Sequence, residues 1–260
     1  MLESAPADLL AVQVRGLTKR YGPVLAVAGV DLDVRRGSFF GLLGPNGAGK
    51  TTTLAMVTGL LRPDRGTALV SGVDVWAEPL QARRRMGVLP EGLRLFERLS
   101  GRELLTFSGR LRGMPTAEVD ERTGQLLEVL GLRGAGNQLV VDYSTGMRKK
   151  IALAAALLHN PPVLFLDEPF EAVDPVSART IRDVLAAYTA RGGTVVLSSH
   201  VMDLVERLCD EVAMLVAGRV VAAGRVDELR GGRSLEEVFV ELAGGDGAGG
   251  EEALRWLGAT

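Results

Sequence analysis

Eight consecutive residues, Gly44-Pro45-Asn46-Gly47-Ala48-Gly49-Lys50-Thr51, follow the pattern G-x-x-x-x-G-K-[ST]. Glycines at this spacing let successive backbone N–H groups turn inward as a nest for phosphate oxygens. A helix beginning at the end of the loop adds its positive dipole end. In such a loop Lys50 reaches the β and γ phosphates of a nucleotide, and Thr51 supplies a hydroxyl for Mg2+, with Thr52 in the same turn. The choice of lysine stands out. The chain has 30 basic residues, and only Lys19, Lys50, Lys149 and Lys150 are lysines. A compact ammonium fits among phosphates where a forked guanidinium does not.

Two further polar groups close apolar runs. Val163-Leu164-Phe165-Leu166 ends in Asp167-Glu168, and Thr194-Val195-Val196-Leu197 ends in Ser198-Ser199-His200. A run of this kind reads as a strand covered on both faces, and ligands of open α/β sheets bind at the carboxyl ends of such strands. Asp167 can orient Mg2+ through its water shell. Glu168 can polarise an attacking water, and His200 can hydrogen-bond a γ-phosphate. Each residue alone has a plainer reading, a solvated acid or a packing histidine. The phosphate loop upstream favours the chemical one. The other histidine, His159, reads as the end of a helix, and the single cysteine, Cys209, as a small buried hydrophobe.

The elements that must position these groups follow from local pattern. Val12–Val14 and Val30–Val34 read as strands, the latter by alternation, and Phe39–Leu43 as a buried strand leading into the loop. Thr51–Leu60 reads as helix, 66–75 as a strand pair turned near Ser71-Gly72, and Arg85–Leu89 as a short strand. The pattern then turns helical. Ser100 with Glu103 has capping-box spacing, Thr116 to Leu130 is a second helix stopped by Gly131, and Ser144 precedes a third over Met147–His159. Asp174-Pro175 is a cap followed by proline at the first helical position, for a helix to about Ala190. Val201–Leu208 reads as helix. Val212–Val216 and Val220–Ala223 read as a hairpin turned at Ala217-Gly218-Arg219, and Ser234–Leu242 as a short helix. The fold class is α/β: a nucleotide-binding core with a mixed, largely parallel sheet, an N-terminal antiparallel β-subdomain and an inserted helical subdomain.

Bulk properties narrow the classes. The chain has 260 residues, 47% apolar and 24% charged, which suits one large globular domain. A net charge of −2 gives no global field toward nucleic acid or a membrane surface. One cysteine excludes an internal disulfide. The first eleven residues lack the basic start and apolar core of a secretory signal. The longest apolar run, Ile151–Leu158, falls far short of the ~20 residues of a spanning helix. The expectation is a chain that does not cross a membrane by itself.

Tyr143-Ser144-Thr145-Gly146-Met147-Arg148-Lys149-Lys150, lying just before Asp167-Glu168, resembles the signature of ABC ATPases, usually written L-S-G-G-Q. With the loop at 44–51, Asp167-Glu168 and His200, order and spacing resemble an ABC nucleotide-binding domain over about Val12 to Leu242. The resemblance implies one ABC ATPase domain over 10–243. Its nucleotide-binding core with β-subdomain is 10–90 and 161–225, its helical signature subdomain 91–160 and its helical end 226–243. A glycine-rich tail follows over 244–260.

The resemblance also implies roles. Tyr21 falls where the family stacks an aromatic on adenine, and Asp174 in the loop that crosses a dimer interface. Glu91 stands where most members carry a glutamine that touches Mg2+ and senses the transporter. Ser144, Thr145, Gly146 and Met147 would meet the γ-phosphate bound to a second subunit. Thr145 replaces the first glycine and Met147 the glutamine, which bears on how tightly such a dimer closes. These variants, with Ser234-Leu235-Glu236-Glu237-Val238-Phe239, resemble the branch serving multidrug- or antibiotic-type exporters. The implied molecule uses ATP and Mg2+, pairs with a second ATPase subunit, and drives a separate permease from the inner face of the cell membrane, through a contact within 89–115. No nucleic-acid partner is expected. The alternatives are a soluble ABC-type ATPase acting on nucleic acid or ribosomes, which would ordinarily bring coiled coils or two ATPase units, and a regulator without turnover, which would not need Lys50, Glu168 and His200 together.

Overall fold

Alternation in Val30-Asp31-Leu32-Asp33-Val34 buries the apolar residues and leaves Asp31 in solvent, as a sheet with one covered face requires. In the computed structural model, which describes residues 9–92 and 94–244, this segment lies in β2 (Val24–Arg35). It pairs antiparallel with β1 (Leu10–Tyr21), which pairs with β4 (Arg65–Val70), and β5 (Val73–Asp74) completes a sheet ordered β2-β1-β4-β5. The predicted strands near residues 12 and 30 are thus parts of strands of 12 residues each. Register shifts around Arg15 to Leu17 break the alternation and hide that length from the sequence.

The second sheet holds the continuous apolar runs. Its order is β10-β9-β3-β8-β7-β6, from β3 (Phe39–Leu43), β6 (Met86–Leu89), β7 (Val163–Asp167), β8 (Thr194–Ser199), β9 (Glu211–Val216) and β10 (Arg219–Arg225). All neighbours are parallel except the β9–β10 hairpin. Strands β3, β7 and β8 are buried along their whole length, because both faces are covered. Phe40, Leu42, Val163, Phe165 and Val196 face one core, shared with the antiparallel sheet and with α1 (Lys50–Val57). Leu43, Leu164, Leu166, Val195 and Leu197 face the other, shared with helices.

Those helices are α5 (Thr145–Leu157), α6 (Pro175–Thr189) and α7 (Met202–Leu208), with α3 (Gly101–Leu111) and α4 (Thr116–Val129) packed on α5. Helices α3, α4 and α5 are inserted between β6 and β7 and form the helical subdomain. The capping box at Ser100 is present in full, with Glu103 N–H on Ser100 and Ser100 N–H on Glu103. Asp174 caps α6 ahead of Pro175.

Three local expectations shift. Helix α1 stops at Val57 rather than Leu60, because Gly59 turns left-handed and the Leu60 and Leu61 N–H groups both return to the Ala55 carbonyl. The strand expected over 85–89 begins at Met86, since Arg85 ends an unexpected short helix, α2 (Pro79–Arg84). A second unexpected helix, α8 (Val226–Arg230), precedes α9 (Leu235–Leu242). The predicted tail lies outside the described residues from position 245 on. Among the described residues, no helix is long and apolar enough to cross a membrane.

Candidate functional site

Parallel pairing alone gathers the polar residues. The carboxyl ends of β6, β7, β8 and β3 lie on one edge, which carries Glu91, Asp167-Glu168, Ser198 to His200 and the loop 44–49 side by side. The loop is clamped where it leaves β3. A Cβ on Gly49 would stand 2.5 Å from the Ala26 carbonyl oxygen, and one on Gly44 2.4 Å from that of Leu215. Gly49 also sits at φ +102°, so glycine is required there for both space and conformation. The β9–β10 turn braces the loop from outside: Gly218 N–H donates to the Ala48 carbonyl at 2.9 Å, and Ala28 N–H donates to the Gly218 carbonyl at 2.8 Å. Thr53 N–H is the first in α1 to find a carbonyl one turn back, that of Gly49. The amides before it form the free donor end of the helix.

Lys50 is buried at this end. Its Nζ donates to the carbonyls of Gly44 (2.8 Å) and Pro45 (3.3 Å) and stands 3.4 Å from Glu168 Oε1. The same Oε1 lies 3.1 Å from His200 Nδ1. It is buried yet accepts a hydrogen bond from neither neighbour, so two cationic or polar groups hold the carboxylate while its lone pairs stay uncommitted. Glu168 itself has φ +44°, a left-handed backbone that is strained for a side chain with a Cβ. Its N–H donates to Ser198 Oγ at 3.0 Å, and its carbonyl accepts from the buried Lys149 Nζ at 2.7 Å.

Asp167 accepts from Ser198 Oγ and, at 3.3 Å, is within reach of Thr51 Oγ1. Thr51 Oγ1 is also 3.0 Å from Glu91 Oε2. One hydroxyl proton cannot serve both carboxylates, so three oxygens converge with fewer protons than acceptors. Burial pushes the Asp167 carboxyl above the usual range, against the Ser198 and Thr51 hydrogen bonds that lower it. Among the described residues, no three His, Cys, Asp or Glu side chains form a protein-only cation cage. A hydroxyl with one or two carboxylates, left to be completed by phosphate oxygens and water, is the donor set that suits Mg2+.

The loop opens onto a cleft of about 390 Å³ lined by Tyr21, Pro45, Asn46, Gly47, Gly49, Lys50, Thr51, Thr52, Glu91, Glu168 and Glu171. Tyr21 presents a half-exposed ring at its rim, with Lys19 Nζ 5.9 Å from the ring centre. The cleft offers an aromatic face, a cationic loop and a row of acids.

Ser144, Thr145, Gly146, Met147 and Asp174 do not line this cleft. Ser144 is exposed and caps α5, accepting from Met147 N–H at 3.3 Å. Thr145 is exposed too, and within the chain the crowded position is Gly146, where a Cβ would come within 2.6 Å of Ser177 Oγ and 2.7 Å of Asp174 Oδ2. The N–H and hydroxyl of Ser177 lower the pKa of the Asp174 carboxyl.

Sequence reasoning missed Ser198 and Lys149 as parts of this site. Ser198 is one residue of the polar stop that ends β8. Lys149 carries the stronger signal, as one of four lysines in a chain that otherwise uses arginine.

Comparison with known proteins agrees with this geometry. The family model described as ABC transporter matches residues 27–171. The daunorubicin/doxorubicin resistance ATP-binding protein DrrA of Streptomyces peucetius is 41% identical over 249 residues, covering 96% of this chain and 75% of that protein. A fluoroquinolones export ATP-binding protein of Mycobacterium tuberculosis is 41% identical over 252 residues, 96% of this chain and 82% of its own. A solved structure described as the ATP binding subunit of an ABC transporter superposes with a TM-score of 0.83 at 32% identity, covering 89% of this chain and 99% of that one.

Proposed function

The chain belongs to the ABC transporter family as an ATP-binding subunit, and from that premise we propose that it hydrolyses ATP to power a separate membrane permease exporting a drug-like or lipophilic compound. The observation that carries the hydrolytic part is Glu168 Oε1, buried, uncommitted and 3.4 Å from Lys50 Nζ at the mouth of a phosphate-type loop.

The free amides at the start of α1 and the Lys50 ammonium bind the phosphates, and Tyr21 stacks on the adenine. Thr51, Asp167 and Glu91 would hold Mg2+, which would supply positive charge to offset that of the phosphates. Glu168 Oε1 takes a proton from a water as the water oxygen bonds to the γ-phosphorus. The bond from that phosphorus to the β–γ bridging oxygen breaks, giving ADP and phosphate. His200, next to Glu168, donates to the departing phosphoryl group. The exposed Ser144 and the start of α5 complete the site of a second subunit, so the working unit is a dimer.

A groove between α2, the end of α3 and the start of α4 suits the permease. It shows exposed Leu60, Leu80 and Leu111 among Arg83, Arg84 and Arg112. A cytoplasmic permease segment with apolar and acidic residues fits that chemistry, and it seats the subunit peripherally on the inner membrane face. Export of a drug-like cargo is supported by the relatives, one named for daunorubicin resistance and another for fluoroquinolone export.

Replacing Glu168 with Gln tests the assignment. The variant is expected to bind ATP as tightly as the parent, to lose steady-state hydrolysis by about 100-fold or more, and to sediment as a dimer with ATP and Mg2+. Turnover at the parent rate would remove Glu168 from the reaction.

A further inference from the structure

Lys149 is the fifth residue of α5, and its side chain is buried. Nothing in the phosphate chemistry above uses it. Its Nζ donates to the carbonyl of Glu168 at 2.7 Å, and the Glu171 N–H reaches the same oxygen at 3.3 Å. On the other side of the residue, Ser198 takes the Glu168 N–H. Glu168 is thus pinned at both backbone polar groups while its backbone is left-handed. Such a conformation persists only where the surroundings over-determine it. Burial lowers the affinity of the Lys149 amine for its proton, and the neighbouring Glu171, Asp167, Glu168 and Glu91 oppose that.

Helix α5 has Ser144 at its other functional point. Lys149 lies five positions beyond Ser144, about 7.5 Å along the axis of one helix. The α5 start is also fitted closely to α6 at Gly146, beside Asp174 and Ser177. A displacement of the whole helix at its Ser144 end would carry Lys149 with it.

We propose that Lys149 is a positioning residue that ties the Ser144 end of α5 to the backbone of Glu168 in the same subunit. This rests on the dimeric ATPase reading above. In that dimer, Ser144 meets the nucleotide of the partner, so the nucleotide in one site sets the aim of the carboxylate in the other. The two sites are coupled through a turn and a half of helix.

Lys149→Met removes the donor at similar length, and Lys149→Arg keeps one. In the full nucleotide-free chain, Lys149→Met is expected to speed amide exchange over residues 168–172, most at Glu171, by about tenfold, while Lys149→Arg stays near the parent. With saturating Mg-ATP, Lys149→Met is expected to lose about 10- to 100-fold in kcat at a KM within about twofold, with a Hill coefficient falling toward one. Lys149→Arg recovers most of that kcat. Unchanged exchange over 168–172 in Lys149→Met overturns the link by itself. Parent kcat and cooperativity in that variant overturn it too, as does an equal loss of ATP affinity and kcat that arginine does not rescue. A parent chain without turnover overturns the hydrolytic reading, and the coupling with it, whatever the exchange shows.

Discussion

Asp167 is buried and His159 partly buried, and burial moves each toward its neutral form. His159 Nε2 lies 2.9 Å from Arg112 and 3.1 Å from the Met86 carbonyl, while Nδ1 is buried without a partner. Burial first, then the charge of Arg112, lowers its pKa from 6.5 to about 4. A base with a depressed folded pKa contributes stability that is whole above 6.5 and is lost as pH falls through 4. About 3 kcal/mol is at stake. Urea titrations between pH 7 and pH 4 are expected to show that loss in the parent and a shallower one in His159→Gln. Asp167 runs the opposite way. Its raised pKa means that its charge costs stability at neutral pH, increasingly as pH rises through the folded value. Asp167→Asn is therefore expected to stabilise the nucleotide-free chain at pH 7 to 8, with the gain vanishing toward the ordinary aspartate value. It should at the same time weaken Mg-dependent ATP binding, the usual trade of stability against function. Thermal melts with and without Mg-ATP measure both halves.

Two helices with the same cap separate packing from chemistry. Ser100 caps α3 and Ser144 caps α5, each accepting an N–H from three residues on at 3.3 Å. Replacing either with Ala is expected to cost about 1 kcal/mol of stability. Only Ser144→Ala should also lower ATP turnover, since Ser144 alone is exposed at a proposed half-site. Equal effects of both on turnover would make Ser144 an ordinary cap. Caps were legible in the sequence because they are local: Ser100 with Glu103, Ser144 and Asp174-Pro175 all do what their spacing foretells. The buried runs of β3, β7 and β8 were legible for the same reason, as was the arrival of the loop, the acid pair and the histidine at strand ends. Helices α2 and α8, of six and five residues, are too short to show a helical period. Gly16, at φ +60° amid the register shifts of β1, masks that strand's alternation. Ser198 and Lys149 are out of reach for another reason. Their partners lie 31 and 19 residues away, and only the sheet order and the seating of α5 bring them together.

At the scale of the whole molecule, the phosphate loop and the signature end of α5 stand apart, since Ser144 to Met147 contribute nothing to the cleft that Lys50 serves. A single chain then carries two half-sites that it cannot join to each other. If each complete site takes its loop from one subunit and its Ser144 from the other, two defective chains can repair one another. A Lys50→Ala chain and a Ser144→Arg chain should each be inactive alone. In a mixed dimer, the altered loop faces the altered signature, and the second site is assembled from the intact loop and the intact signature. Random mixing makes half the dimers heterodimers with one good site each, so activity should return to about a quarter of the parent level. Coupling between the sites through α5 would lower that figure, because the dead site could no longer help to set Glu168 in the live one. Adding Lys149→Met to one chain at a time locates the coupling. In the Lys50→Ala chain, Lys149 lies on the helix whose Ser144 completes the live site, while the Glu168 it holds belongs to the dead one. In the Ser144→Arg chain, it holds the live Glu168. Loss of the recovered activity should therefore be greater from the Ser144→Arg chain. No recovery at all from any mixture would place both halves of each site within one subunit, against the separation seen between Lys50 and Ser144.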